Sequence, residues 1–139
     1  MFAMRYAELE DMDFWLSLDG HISREVFAKK AALHECCIME YAGERAGILR
    51  YNFFWDEIPF LNFIFVLKTH REKGIGKKAV LCWEDAMQRL GYRLVMTSTM
   101  VEEQAQHFYR KIGYKECGCL LKDMAPLEES MEMFMMKQI

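Results

Sequence analysis

Apolar residues change their spacing several times along this chain, and each change of period marks an element. Met4–Ala7 predicts a short strand. Asp11–Leu18 predicts a helix with Phe14, Trp15 and Leu18 on one face. Ser23–Leu33 predicts a second, with Ser23 as N-cap and Val26, Phe27 and Lys30 following at helical spacing. Cys36–Tyr41 and Ala46–Trp55 read as two strands of a hairpin closed by Ala42-Gly43-Glu44-Arg45. A turn at Asp56-Glu57-Ile58-Pro59 leads into Phe60–Leu67, an apolar run rich in β-formers and too short to span a membrane. It predicts a central strand buried on both faces.

The second half alternates more regularly. Ile75–Leu90 predicts a helix with Ile75, Ala79, Cys82, Trp83, Ala86 and Leu90 inward. Lys77, Lys78, Glu84, Asp85, Gln88 and Arg89 face outward, and Gly91 ends the helix. Tyr92–Thr97 is the next strand. Glu102–Ile112 is a further helix, with Ala105, Phe108, Tyr109 and Ile112 on one face and Thr99 with Glu102 spaced as a capping box. Tyr114–Leu121 and Met131–Met136 complete the strands, the latter's methionines packing a terminal strand or a dimer seam. Strands first and β-α-β-α-β afterwards predict an α+β (mixed α/β) fold, a mixed sheet with helices on its faces. With no repeat, no linker and only two prolines, residues 1–139 read as a single domain.

Composition narrows the function. Fully 53% of the 139 residues are hydrophobic, enough for a sizeable core, and 28% are charged, as in a globular protein. A net charge of −3 argues against binding by broad attraction to a phosphate backbone, so no nucleic-acid partner is expected; a local basic pocket is still allowed. No apolar run is long enough for a membrane helix, and no secretory leader is apparent, so a cytoplasmic protein without membrane attachment is expected. Cys36, Cys37, Cys82, Cys117 and Cys119 lack zinc or disulfide-framework spacing. They read as reduced, mostly buried small hydrophobes, and no metal site is expected.

The stretch from Val66 to Gly76 carries the chemistry. It runs from the apolar strand directly into an amphipathic helix, with Gly74 and Gly76 at the helix start. Glycines there let a ligand approach the backbone. Unpaired first-turn amides and the helix dipole favour an anion, and Arg71 and Lys73 add positive charge. A phosphate or pyrophosphate is the natural guest. The segment lacks the spacing of a Walker loop and the third glycine of the dinucleotide fingerprint. Downstream, Ala105-Gln106-His107-Phe108-Tyr109 ends in a tyrosine; its phenol either packs a core or donates a proton to a leaving thiolate.

Together these segments resemble the GNAT superfamily of N-acetyltransferases. Arg71-Glu72-Lys73-Gly74-Ile75-Gly76 fits that family's R/Q-x-x-G-x-G/A acyl-CoA loop, and Ala105-x-x-Phe108-Tyr109-x-x-x-Gly113-Tyr114 fits its downstream A-x-x-[FL]-Y-x-x-x-G-[FY] segment. The match covers about Leu61 to Tyr114 and departs at Glu102, where the family often has Asn, and at Lys68, where it often has Pro.

The resemblance implies a mostly antiparallel sheet of about six to seven strands, helices on both faces and one splayed parallel strand pair. It also implies an acyl-CoA-dependent N-acyltransferase using acetyl-CoA and an amine acceptor, without a metal. Val66, Leu67, Lys68, Arg71, Glu72, Lys73, Gly74, Ile75, Gly76 and Lys77 would hold the cosubstrate, with Glu102, Ala105, Phe108 and Tyr109 joining from the later helix. The Val66 amide would stabilise the oxyanion, and Tyr109 would protonate the CoA thiolate. A homodimer is the assembly suggested by analogy.

The acceptor side is less defined. Glu57, with Asp56 as its alternate, is the candidate base or water-orienting carboxylate, or else a solvated turn residue. Trp55 and Asn62 are candidates for the acceptor cleft; Asn62 either faces it or finds a buried partner. His70 and His107 are not expected to be catalytic. Three readings stay open: an enzyme for a small-molecule amine, a protein N-terminal or lysine acetyltransferase, and a non-catalytic acyl-CoA binder.

Overall fold

Ser23 caps its helix as its position predicts, accepting a hydrogen bond from the Val26 amide at 3.1 Å. In the computed structural model, which describes all of Met1–Ile139, that helix is α2 (Arg24–Ala32), after β1 (Phe2–Tyr6) and α1 (Met12–Leu18). There follow β2 (Cys36–Tyr41), β3 (Glu44–Phe54), β4 (Ile58–Val66), α3 (Ile75–Arg89), β5 (Leu94–Met100) and α4 (Ala105–Lys111). The chain ends with β6 (Lys115–Leu120), a small hairpin of β7 (Asp123–Met124) and β8 (Leu127–Glu128), and β9 (Glu132–Gln138).

Seven strands form one mostly antiparallel sheet in the order β1-β2-β3-β4-β5-β9-β6. β4 and β5 are parallel and are connected through α3, because a parallel pair needs a long crossover. Their pairing is made at Phe60–Met96 and Leu61–Thr97. Pro59, Phe60 and Leu61 are buried, whereas Asn62 is exposed and Phe63 to Val66 are only half-buried. The expectation of a strand buried on both faces therefore holds only for its first part, where the parallel partner covers it.

The chain divides into two compact units, Met1–Asn52 with Asn62–Trp83, and Phe53–Leu61 with Glu84–Ile139. In the first, Ala7, Trp15, Phe27, Ala31, Cys36, Ile38 and Ile48 form a buried cluster, with Phe63 and Phe65 of β4 packed against it. In the second, Met133 and Met135 of β9 alternate inward toward a core that includes Val95, Met96, Tyr109 and Tyr114.

Several local expectations are corrected. On α3 the buried residues include Val80, Glu84 and Met87, while Cys82 and Ala86 are half-buried and Leu90 is exposed. Glu84 is tolerated inside because the Tyr114 hydroxyl and the Lys137 ammonium donate to it at 2.8 and 2.7 Å. The capping box of Thr99 and Glu102 does not form, and α4 starts at Ala105 after Gln104. Thr99 is instead a β5 residue opposite Met133, and Glu102 accepts from the Ser130 hydroxyl at 2.6 Å. Cys36 and Cys37 are buried, but Cys117 and Cys119 are exposed because β6 is an edge strand. The Cys36, Cys37, Cys117 and Cys119 thiols are free.

Candidate functional site

Between β4 and α3 the backbone is shaped for a ligand rather than for packing. The Leu67 amide donates to Ala46 at 2.8 Å, and a short turn at Lys68–His70 buries His70. Glu72 and Gly74 then take left-handed conformations, with φ of 65° and 71°. The Lys78 amide donates to the Gly74 carbonyl at 3.0 Å, closing the first turn of α3. The amides of Ile75, Gly76 and Lys77 precede that bond and have no intrahelical acceptor. Ile75, 1% exposed, anchors the turn. A Cβ added at Gly74 would meet no atom within 4 Å, so glycine is needed for its φ, and the space in front of the turn is open. At Gly76 an added Cβ would meet only Val66 Cγ2, at 3.9 Å. Open space, donor amides and a helix N-terminus fit a diphosphate.

The cations beside this turn are anchored at its back. Arg71 Nε donates to the Val66 carbonyl at 2.9 Å, and its guanidinium lies 5.2 Å from the Phe65 ring centre. Lys73 Nζ sits 5.0 Å over the ring of Tyr41. Lys68 and Lys77 are exposed. Sequence reasoning overlooked Gly47, whose signal is a glycine inside a strand. A Cβ there would lie 2.4 Å from the Phe65 carbonyl oxygen and 3.1 Å from Val66 Cα. Only glycine lets β3 approach β4 so closely at Val66. Asn62 is exposed, which removes the alternative of a buried partner.

In the second unit, Tyr109 is 5% exposed, with ring contacts to Phe108 at 5.2 Å and Tyr114 at 5.4 Å. Burial pushes its phenol upward, opposed by a hydrogen bond with Thr97 and reinforced by the charge of Glu103. A raised value keeps the hydroxyl protonated at neutral pH, the form in which it can donate. Thr97 in turn donates to the Leu61 carbonyl at 3.0 Å. Ala105 and Phe108 are half-buried, and Glu102 and His107 are exposed.

The tip between β3 and β4 lies one residue earlier than the predicted turn. Trp55 and Asp56 form it, both with positive φ (55° and 60°), and the amides of Asp56 and Glu57 donate to Phe53 and Phe54. Two left-handed residues suit the twist of a two-residue hairpin, although neither is glycine. Trp55 is 77% exposed and contacts Phe54 at 4.8 Å, and Glu57 is exposed.

The sequence pattern of the acetyltransferase (GNAT) family matches residues 3–114. The chain belongs to that family. It is therefore an enzyme of the GNAT acetyltransferase type, a family that uses acetyl-CoA. Among solved structures, Ard1 from Thermoplasma volcanium is similar, with a TM-score of 0.82 and 14% identity over 99% of this chain and 97% of that one. The ribosomal-protein-S18-alanine N-acetyltransferase from Escherichia coli gives 0.81 and 16% identity, over 100% and 94%. A spermidine N-acetyltransferase SpeG chimera from Vibrio cholerae and hSSAT gives 0.78 and 16%, over 99% and 95%. At these identities the likeness establishes the GNAT fold. No curated protein matches the chain in sequence. No group of three or more His, Cys, Asp or Glu residues is placed to hold a metal ion, and no helix is long and apolar enough to cross a membrane.

Proposed function

We propose that this GNAT enzyme moves an acetyl group from acetyl-CoA to the primary amine of a small molecule, by direct attack and without an acyl-enzyme. The observation that carries the reading is the open, left-handed turn at Gly74, with donor amides leading into α3. Those amides would hold the diphosphate, backed by the dipole of α3 and by Arg71 and Lys73. The β4 backbone up to Val66 would pair with the pantetheine amides as an added strand does. Glu102, Ala105 and Phe108 would complete the cosubstrate's contacts.

Acetyl-CoA supplies the activated acyl carbon. The Val66 amide stabilises the oxyanion formed when the amine nitrogen adds. Tyr109 then gives its phenolic proton to the departing sulfur as the C–S bond breaks. Trp55, Asn62 and Glu57 serve the acceptor, with Glu57 orienting water at the amine.

Calorimetric titration with acetyl-CoA tests the placement: wild type binds and Gly74→Arg does not. Normal affinity in that variant refutes the phosphate turn. Tyr109→Phe should bind acetyl-CoA normally while thiol release with an acceptor falls by about 10²–10⁴-fold. Comparing spermidine with an alanine-initiated peptide as acceptors separates a small-molecule enzyme from a protein N-terminal acetyltransferase.

A further inference from the structure

Asp19, Gly20 and His21 lie in the loop between α1 and α2, outside every motif that the sequence offers. Asp19 is 1% exposed and carries four polar contacts. Its Oδ2 accepts from Arg50 Nε at 2.9 Å and from Trp15 Nε1 at 3.1 Å. Its Oδ1 accepts from the His21 amide at 3.0 Å and lies 3.3 Å from His21 Nδ1. The His21 side chain is 72% exposed. A buried carboxylate fixed by three other donors thus orients an imidazole that reaches solvent.

That arrangement selects a tautomer. With an acceptor-only carboxylate at Nδ1, the ring proton belongs on Nδ1, and the Nε2 lone pair is left to take a proton. The ring is also placed. It lies 5.4 Å from the ring of Phe63 on β4, and the Arg50 guanidinium lies 5.5 Å from the same ring. Phe63 belongs to the stretch Asn62–Val66, where the proposed function sets the thioester arm. Glu57 and Asp56, by contrast, project from an exposed turn.

We infer that His21, oriented by Asp19, is the general base that takes the proton from the acceptor ammonium before or during attack. R–NH₃⁺ passes one proton to His21 Nε2, and the freed amine adds to the acyl carbon. As the C–S bond breaks, Tyr109 protonates the thiolate, the nitrogen's second proton restores Tyr109, and the imidazolium returns the first proton to water. Asp19 is the charged group in contact with the imidazole, and Arg50 Nε bonds the same carboxylate. Asp19 is a positioning residue, since it touches the ring and not the acceptor.

The inference rests on the proposed acetyl transfer, and two measurements keep their failures apart. Calorimetry with acetyl-CoA reports the cosubstrate site alone. Steady-state thiol release over pH 5.5–9.5 reports the base, using whichever of spermidine, ethanolamine and an alanine-initiated peptide the enzyme acetylates fastest. His21→Gln should bind acetyl-CoA within about twofold of wild type and lose about 10²-fold in kcat. The rate of the variant should then rise with pH as the free amine becomes available, without the plateau of wild type. Asp19→Asn should give an intermediate loss, and it should not deepen the loss of His21→Gln. Nitrogen-15 spectra should find the His21 proton on Nδ1 in wild type. A protonated Nε2 with bare Nδ1, or a wild-type rate and pH profile in His21→Gln, overturns the assignment. Loss of acetyl-CoA binding in wild type overturns the proposed function instead.

Discussion

Glu84 in the second compact unit and Asp19 in the first are each buried against a cation, and the two are closed off differently. In the second unit, Glu84 of α3 meets Lys137 of β9 and the hydroxyl of Tyr114, with Lys137 Nζ also 5.8 Å from the Tyr114 ring. Gly113 leaves room for the lysine stem, since a Cβ there would come within 3.2 Å of Lys137 Cε. Every partner of Glu84 is a residue of the core or of the strand that covers it. In the first unit, Asp19 is held as tightly by Arg50 and Trp15, but its remaining contacts are the His21 amide and its exposed imidazole. A buried charge satisfied wholly from within ties elements together. One that spends a contact on an exposed titratable ring sets that ring's proton as well.

The largest expected effect comes from breaking the closed pair. Lys137→Ala should destabilise the fold by about 3–5 kcal/mol, because it leaves Glu84 charged and buried with only a phenol. Replacing both residues by methionine should recover most of that loss, as a shift in urea midpoint would record. If the single variant unfolds at the wild-type midpoint, Glu84 is not the buried anchor described. Asp19→Asn should cost less, about 1–3 kcal/mol, since the amide keeps some hydrogen bonds while Arg50 loses its counter-charge.

Acid acts on both buried carboxylates of the first unit in the same direction. Hydrogen bonds from Arg5 hold Asp11 below the usual carboxylate range, against the upward push of burial. For Asp19 burial pushes upward, and donation from Arg50, the His21 amide and Trp15 pulls it lower overall. Groups with depressed values contribute stability above the ordinary carboxylate pKa of about 4, and that contribution disappears as pH falls through their folded values. Urea midpoints should therefore drop below about pH 4, and drop less steeply in Asp19→Asn. A wild-type midpoint unchanged between pH 5 and pH 2 would show that neither carboxylate stabilises the native state.

The smallest effect is a rate contrast among thiols. Burial pushes Cys36 and Cys37 up to about 12, so they stay protonated at pH 8. Ellman's reagent should label exposed Cys117 and Cys119 in the native protein and reach Cys36 and Cys37 only on unfolding. Rapid native labelling of Cys36 would contradict its placement in the first unit's core.

How much of this was legible beforehand depended on the reach of the signal. β2 at Cys36–Tyr41 and the start of α3 at Ile75 coincide with their predicted bounds, because a short apolar run before a turn and helical spacing are written within a few residues. The start of α4 was misplaced because Thr99 satisfies its backbone across β9 rather than along its own chain. Glu84 looked like a surface residue because its partner is 53 positions away. The turn at Trp55 and Asp56 was placed one residue late because Trp55 is not a residue type that favours positive φ.

The sequence by itself determined the family resemblance, the glycine turn before α3 and the order of elements, all of which rest on local backbone requirements and periodic burial. Tertiary structure alone decided that Gly47 must lack a side chain, that Tyr109 is enclosed, and that Asp19 orients His21 beside Phe63. The reason is physical: contacts between residues far apart in the chain arise only when strands pair and helices pack, and no short-range pattern encodes which partner arrives.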